Sequence, residues 1–370
     1  MRQTKKVRSV LRSFPRKRES RGRAHPSLRS AAPGSPLSRG RTEISAEDRL
    51  IARHFRPLAR HPGAFGLIDD AAVLSVPAGH EVVLKTDAIV GGVHFFPGDP
   101  ADTVARKALR VNLSDLAAKG AKPAGFLLSL VIPRTIDDAW LRSFAKGLGA
   151  DAGRYGCPLF GGDTDRTPGP PTIAIAAFGT LPRGTMVLRS GARAGDCVVV
   201  TGTIGDAALG LKLRHQPGAA RRWRLDAAMR RHLAARYLLP NPRNALAEAL
   251  RRHASAAMDI SDGLVGDFRK LCRASGVGAE IDVARVPLSK AARAAVKAEP
   301  RLIEAVLTGG DDFEVVATVP PRKLAGFRAA ARRAGVAVTE IGHVTAGGGP
   351  RFRDAGGHAM RFAHASYSHF

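Results

Sequence analysis

At 370 residues, 44% of them hydrophobic, the chain is long enough for two domains and a sizeable core, and it has no apolar run near the roughly 18 residues of a membrane-crossing helix. Its formal charge of +26 raises nucleic acid as a partner. However, residues 1–44 hold thirteen Lys or Arg against Glu19 and Glu43, a net of +11, and most of the rest is Arg spread along helical segments such as Arg214 to Arg236 and Arg322 to Arg333. No aromatic-studded basic sheet or zinc finger accompanies that charge, so nucleic acid is not the expected partner. Cys157, Cys197 and Cys272 are odd in number and lack Cys-x-x-Cys spacing, which argues against a disulfide framework or zinc site and fits a reducing cytoplasm.

Residues 1–44 carry five prolines or glycines from Pro26 to Gly40 and no apolar periodicity, and read as a disordered, dispensable basic tail. Structure is expected from Ser45, a helix cap with Glu47 and Asp48 in the first turn and Leu50, Ile51, Phe55 and Leu58 at helical spacing. Val73 to Val76 and Glu81 to Thr86 read as short strands joined at Pro77-Ala78-Gly79. Thr103 to Lys119 reads as a helix ended by Gly120, Phe126 to Ile132 as a strand, Asp137 to Tyr155 as a helix, and Thr172 to Thr180 as a strand. Pro182 is a natural boundary, which sets residues 45–182 and 183–370 as the two expected domains.

In the second half, strand Cys197 to Thr201 leads into Gly202-Thr-Ile-Gly205-Asp206 and long Ala- and Arg-rich helices broken at Pro240-Asn-Pro242. A helix from Arg243 to His253, the strand Ala256 to Ile260 and a helix from Ser261-Asp262-Gly263 to Ser275 follow. Then come the strand Ala279 to Val283, the helix Ser289 to Ala298, the strand Phe313 to Val319, the helix Arg322 to Ala334 and a last strand pair. Strands and helices alternate irregularly, which favours two α+β domains over one doubly wound sheet.

The chemistry gathers around Met258 to Leu264, where Asp259, Ser261 and Asp262 fall at a strand-to-helix junction whose free N–H groups favour phosphate. Four other carboxylate segments lie beside apolar runs: Asp69 and Asp70, Asp87, Asp115, and Asp163 after Gly161-Gly162. A carboxylate beside buried sequence needs a cation, so five such segments suggest a shared magnesium and phosphate site. Each also has a plain structural alternative. Ser261 or Asp262 can be an N-cap, Gly161-Gly162-Asp163-Thr164 a tight turn with an Asx bond, Asp115 a surface acid and His94 a structural loop histidine. Neither a Walker loop nor a dinucleotide fingerprint is present.

In this light the chain resembles the thiamine-monophosphate kinases, in the superfamily of aminoimidazole ribonucleotide synthetase and selenophosphate synthetase. The resemblance runs from about Glu47 to Phe370. It rests on Gly66-Leu67-Ile68-Asp69-Asp70, Thr86-Asp87, Gly92-Val93-His94-Phe95, Lys107-Ala108-Leu109 and Val111 to Ala118, then Gly161-Gly162-Asp163-Thr164, Arg189-Ser190-Gly191-Ala192, Val200-Thr201-Gly202, Gly205-Asp206 and Asp259 to Leu264.

The resemblance implies ATP-dependent conversion of thiamine monophosphate to thiamine diphosphate, a two-domain α+β fold of the aminoimidazole ribonucleotide synthetase type and a homodimer joined through N-terminal sheets. It assigns several magnesium ions to Asp70, Thr86, Asp87, Asp115, Asp163, Asp259 and Asp262. It gives ATP to Gly162, Asp163, Arg189 and Ser261, and the thiamine phosphate to His94, Asp311 and Tyr367. Three residues depart from the family pattern. Ile68 replaces a glycine, which a positive φ would not tolerate. Lys85 replaces a hydroxyl residue and can stand in for a cation without ligating one, so fewer magnesium ions than usual are expected. Asp311 is one methylene shorter than the usual Glu. The alternatives are a sister ATP-dependent enzyme, against which the absence of an N-terminal or C-terminal reactive Cys argues, and a weakened nucleotide-binding relative.

Overall fold

The computed structural model describes residues 45–366; the basic tail and Tyr367 lie outside the described residues. Ser45 closes a capping box with Asp48 and starts helix α1 (Ala46–Leu50), which continues through a wider turn to Phe55.

Four strands form the first sheet: β1 (His80–Val90), β2 (Lys122–Ile132), β3 (Leu159–Arg166) and β4 (Thr172–Pro182), in the order β1-β4-β2-β3. Only β2 and β3 run parallel. Helices α2 (Ala101–Ala118) and α3 (Asp138–Tyr155) cover one face, where Leu109, Leu113, Leu116, Phe126, Phe144 and Leu148 are fully buried. The Asp137 side chain accepts the Trp140 N–H to begin α3, a cap worth about 1 kcal/mol, and Gly156 in the left-handed conformation ends it.

The second sheet holds β5 (Cys197–Thr201), β6 (Ala256–Ile260), β7 (Val277–Asp282), β8 (Glu314–Val319), β9 (Val338–Ala346) and β10 (Pro350–Arg353), in the order β10-β7-β9-β5-β8-β6. Between β5 and β6 lie α4 (Asp206–His215), α5 (Ala219–Arg222), α6 (Ala227–Leu238) and α7 (Ala247–His253); α8 (Leu264–Ser275) follows β6. Helices α9 (Lys290–Ala298) and α10 (Leu302–Thr308) precede β8, and α11 (Pro321–Arg333) follows it. Phe268 and Leu271 of α8 pack in one apolar layer, Leu250 of α7 and Phe327 of α11 in another, and β6 and β8 are buried throughout.

Several expectations change. Val73 to Val76 is not a strand: Val73 N–H returns to the Gly63 carbonyl at 2.8 Å, and the segment finds no ladder partner. Gly161 to Thr164 are not a turn but the middle of β3. A Cβ at Gly162 would stand 1.9 Å from the Leu128 carbonyl oxygen, so glycine permits the close pairing with β2. The last two strands do not pair with each other, because β7 lies between them. Residues Asn244–Leu246 form a tighter 3₁₀ turn ahead of α7, and α10 was not expected.

Candidate active site

A cleft of about 1050 Å³ opens where β1, α2, the β6–α8 junction and the Gly309-Gly310-Asp311 loop meet. The pleat of β1 turns Lys85 and Asp87 into it. Asp87 N–H is held by the Asn112 side chain of α2 at 2.8 Å, and Asp115 lies one turn further along that helix. The Lys85 Nζ stands 3.0 Å from Asp87 Oδ1 and 2.8 Å from Asp115 Oδ2. Burial pulls the Lys85 pKa down, but Asp115 and Asp87 outweigh it and the amine is held above its ordinary value. Burial raises that of Asp87.

Opposite, Asp259, the last residue but one of β6, is buried, and its Oδ2 has no hydrogen-bond partner. Burial, together with the charges of Asp115 and Asp267, pushes its pKa well above the carboxylate range. The chain then turns at Gly263, whose φ of 109° places it at the start of α8 without any side-chain cap. Neither Ser261 nor Asp262 caps the helix. Instead the buried Asp267 accepts both their N–H groups, at 3.0 and 2.8 Å, and Lys270 Nζ bridges Asp267 Oδ1 at 2.8 Å and Asp262 Oδ2 at 2.6 Å. Arg189 lines the same end, its carbonyl held by Ser275.

At the other end, the Val90 N–H donates to His94 Nδ1 at 3.0 Å, which leaves the proton of a neutral ring on Nε2. Lys107, almost completely buried, donates to the His94 carbonyl at 2.9 Å and to Asp311 Oδ2 at 2.8 Å, and lies 4.1 Å over the Tyr237 ring. Asp311 adopts φ 71° with its N–H on the Ser261 carbonyl, which ties the two loops together.

The structure therefore gathers Asp87, Asp115, Asp259, Asp262, Ser261, Arg189, His94 and Asp311 around one cleft. It does not bring Asp70, Thr86, Gly162 or Asp163 there; all four are exposed. Thr86 points to the opposite face of β1 from Lys85 and Asp87. Ile68 has φ −112°, so it escapes the strain foreseen for it; positive φ falls on Phe65, Gly66 and Leu67 instead. Lys107, Tyr237, Asp267 and Lys270 were missed as site residues. The signal for Lys107 was a charge amid Ala105, Ala108 and Leu109 on an apolar helix face. Among the described residues no three His, Cys, Asp or Glu side chains stand in ready metal-holding geometry.

Residues 68–181 match the family described as AIR synthase related protein, N-terminal domain, and residues 193–355 match its C-terminal domain. The thiamine-monophosphate kinase of Caulobacter vibrioides is 45% identical over 303 residues, covering 81% of this chain and 84% of that protein. The chain belongs to the thiamine-monophosphate kinase family. The crystal structure of thiamine-monophosphate kinase from Stenotrophomonas maltophilia K279a superposes with a TM-score of 0.75 at 35% identity, covering 86% of this chain and 98% of that one. AaThiL complexed with AMPPCP and TMP superposes with a TM-score of 0.70 at 30% identity, covering 83% and 97%. The expected fold, two α+β halves of the aminoimidazole ribonucleotide synthetase type, is the fold of this family.

Proposed function

We propose that this chain transfers the terminal phosphoryl group of ATP to the phosphate of thiamine monophosphate, giving thiamine diphosphate and ADP. The observation that carries the proposal is the carboxylate-lined cleft of a family member whose solved relative was complexed with AMPPCP and TMP. The attacking oxygen belongs to the substrate's own phosphate, largely ionised near neutral pH because its second pKa is about 6, so no protein base is required. The protein's task is alignment and charge neutralisation. Asp311, held by Lys107, and the His94 ring line the end of the cleft that would orient the substrate, with Tyr237 and Val93 as apolar walls. Arg189 and Ser261 serve the nucleotide at the start of α8, whereas Gly162 and Asp163, outside this cleft, reach it only if a second copy of the chain brings them there; Tyr367 remains a proposed substrate contact.

The donor set suits magnesium in part. The buried, unpartnered Oδ2 of Asp259 is a vacant acceptor beside Asp115, which fits a cation held by Asp115, Asp259 and Asp262. Between Asp87 and Asp115 the fit fails, because the Lys85 ammonium lies there. Bound magnesium would neutralise phosphate charge during transfer. Asp70, Thr86 and Asp163 complete the proposed metal set only if a second copy supplies or encloses them.

That second copy is part of the proposal. The face of the first sheet away from α2 and α3 exposes Val82, Leu84 and Leu127, and the strand register puts Thr86 and Asp163 on the same face. A homodimer joined there covers the apolar rows. The three free cysteines fit a cytoplasmic setting, and no helix of the described residues is long and apolar enough to cross a membrane.

The test is thiamine diphosphate and ADP formation by the full chain, run beside a chain beginning at Ser45. Equal, stoichiometric production of both products by the two chains is expected. ATP binding without either product would overturn the kinase reading and favour a nucleotide-binding relative.

A further inference from the structure

The acids of the cleft are already partly neutralised by the chain itself. The Lys85 Nζ bridges Asp87 and Asp115 at 3.0 and 2.8 Å; the Lys270 Nζ bridges Asp262 and Asp267 at 2.6 and 2.8 Å. Each ammonium thus stands between two carboxylates, one on each side of the cleft, in the position a divalent ion takes when it joins two acids. Neither lysine is loosely placed. The Lys85 side chain is 28% exposed and leaves β1 toward α2, whereas Lys270 leaves α8 one turn after Asp267 and closes on the loop that Asp267 supports. Of the acids that line the cleft, Asp259 keeps a buried oxygen, Oδ2, without a hydrogen bond.

From this we infer that Lys85 and Lys270 are resident cations which replace divalent metal at two of the acid pairs and keep the cleft assembled before nucleotide or metal arrives. The physical reason is permanence. A bound magnesium ion exchanges with solvent, whereas a tethered ammonium cannot leave, and it pairs at nitrogen-to-oxygen distances near 2.8 Å rather than the roughly 2.1 Å of a magnesium ligand. Acids held that far apart cannot also close around a small ion at the same point. Lys85 lies on the first sheet and Lys270 against the second, so the two clamps fix the opposite walls independently. Both are positioning residues: they act through the carboxylates they hold. The inference rests on reading these acids as the cation site proposed above, but not on turnover.

The experiment therefore uses manganese alone, without nucleotide. Bound Mn2+ would be counted by electron paramagnetic resonance in the full chain, in Lys85→Ser and in Lys85→Arg, with melting temperatures in EDTA and in Mn2+ measured on the same samples. Lys85→Ser is expected to bind about one more ion per chain than the wild type. Its melting temperature should fall below that of the wild type in EDTA and recover with Mn2+, whereas Lys85→Arg should follow the wild type in both. Lys270→Ser should repeat the pattern at the second pair. Equal ion counts in wild type and Lys85→Ser would overturn the inference, whether that count is zero or larger. So would a Lys85→Ser chain that manganese cannot restore to the folded state. A wild type that gives the expected metal pattern yet forms no thiamine diphosphate would remove the kinase reading and leave the resident cations standing.

Discussion

A single buried carboxylate away from the cleft sets a pH response. Asp206, fully buried at the start of α4, accepts hydrogen bonds from Thr203 Oγ1 at 2.6 Å, Ser289 Oγ at 2.5 Å and the His232 ring at 2.8 Å. Burial raises the Asp206 pKa, but these donors, His232 first, overcome it and leave it below its ordinary value. The bond to Asp206 raises that of His232 against partial desolvation. For the histidine, the folded pKa exceeds the unfolded one, so its contribution is complete below about pH 6.5 and disappears as pH rises through the folded value. For the acid the folded pKa is depressed, so its contribution is complete above about pH 4 and is lost on further acidification. Stability from this pair is therefore greatest between those limits. Thermal melts should show a fall in melting temperature from pH 6.5 to 8.5 that is smaller in His232→Gln; identical slopes in both proteins would remove His232 as the cause.

At the scale of elements, α2 is the hinge of the design. It packs on the first sheet through Leu109, Leu113 and Leu116, and it reaches the second half through Lys107 to Asp311, Arg110 to the Pro240 carbonyl and Lys119 to the Ala257 carbonyl. Its position against α3 is fixed by Asp151, 1% exposed, which takes both Nε and Nη2 of Arg110 and Nε of Arg106. Asp151→Ala leaves a buried guanidinium without its partner and should cost about 3–5 kcal/mol, read as a lower urea midpoint with an unchanged slope. A loss under about 1 kcal/mol would mean that water or another acid replaces Asp151.

The elements themselves were largely legible, because their signals are local. Ser45, Asp137 and Ser289 cap the helices that follow them, Gly156 and Gly276 end α3 and α8, and the acids of Asp259 to Asp262 announce themselves by their apolar flanks. What was not legible depends on pairing across the chain. No spacing rule joins Lys107 to Asp311, 204 residues away, or tells that Asp267 rather than Ser261 would satisfy the backbone at the turn. Thr86 is different: the period of two along β1 already separates it from Lys85 and Asp87, but the motif Thr-Asp reads as one unit until the pleat divides it.

For the molecule as a whole, the two faces of the first sheet pose the remaining question. One face is a sealed core; the other leaves Leu84 72% exposed beside Val82 and Leu127. Across the strands the register aligns Thr86, Ala176, Leu127 and Gly161 in one row and Ala88, Ala174, Ser129 and Asp163 in the next, all on this outer face. Thr86, expected at a metal, and Asp163, expected at metal and nucleotide, therefore lie on the side of the sheet where Lys85 and Asp87 do not. A two-fold dimer through this face would reconcile the arrangement, because it buries the apolar rows and encloses Thr86 and Asp163 beside a second chain. Leu84→Asp places a charge at the centre of that contact. Sedimentation should then give a dimer for the wild type and a monomer for Leu84→Asp, with the melting temperature of the isolated fold little changed and turnover reduced at least about tenfold, equivalent to 1.4 kcal/mol. A Leu84→Asp dimer would place the contact elsewhere. A monomer with full turnover would show that Thr86 and Asp163 take no part in the reaction, and would confine the chemistry to the acids and lysines gathered around the single cleft.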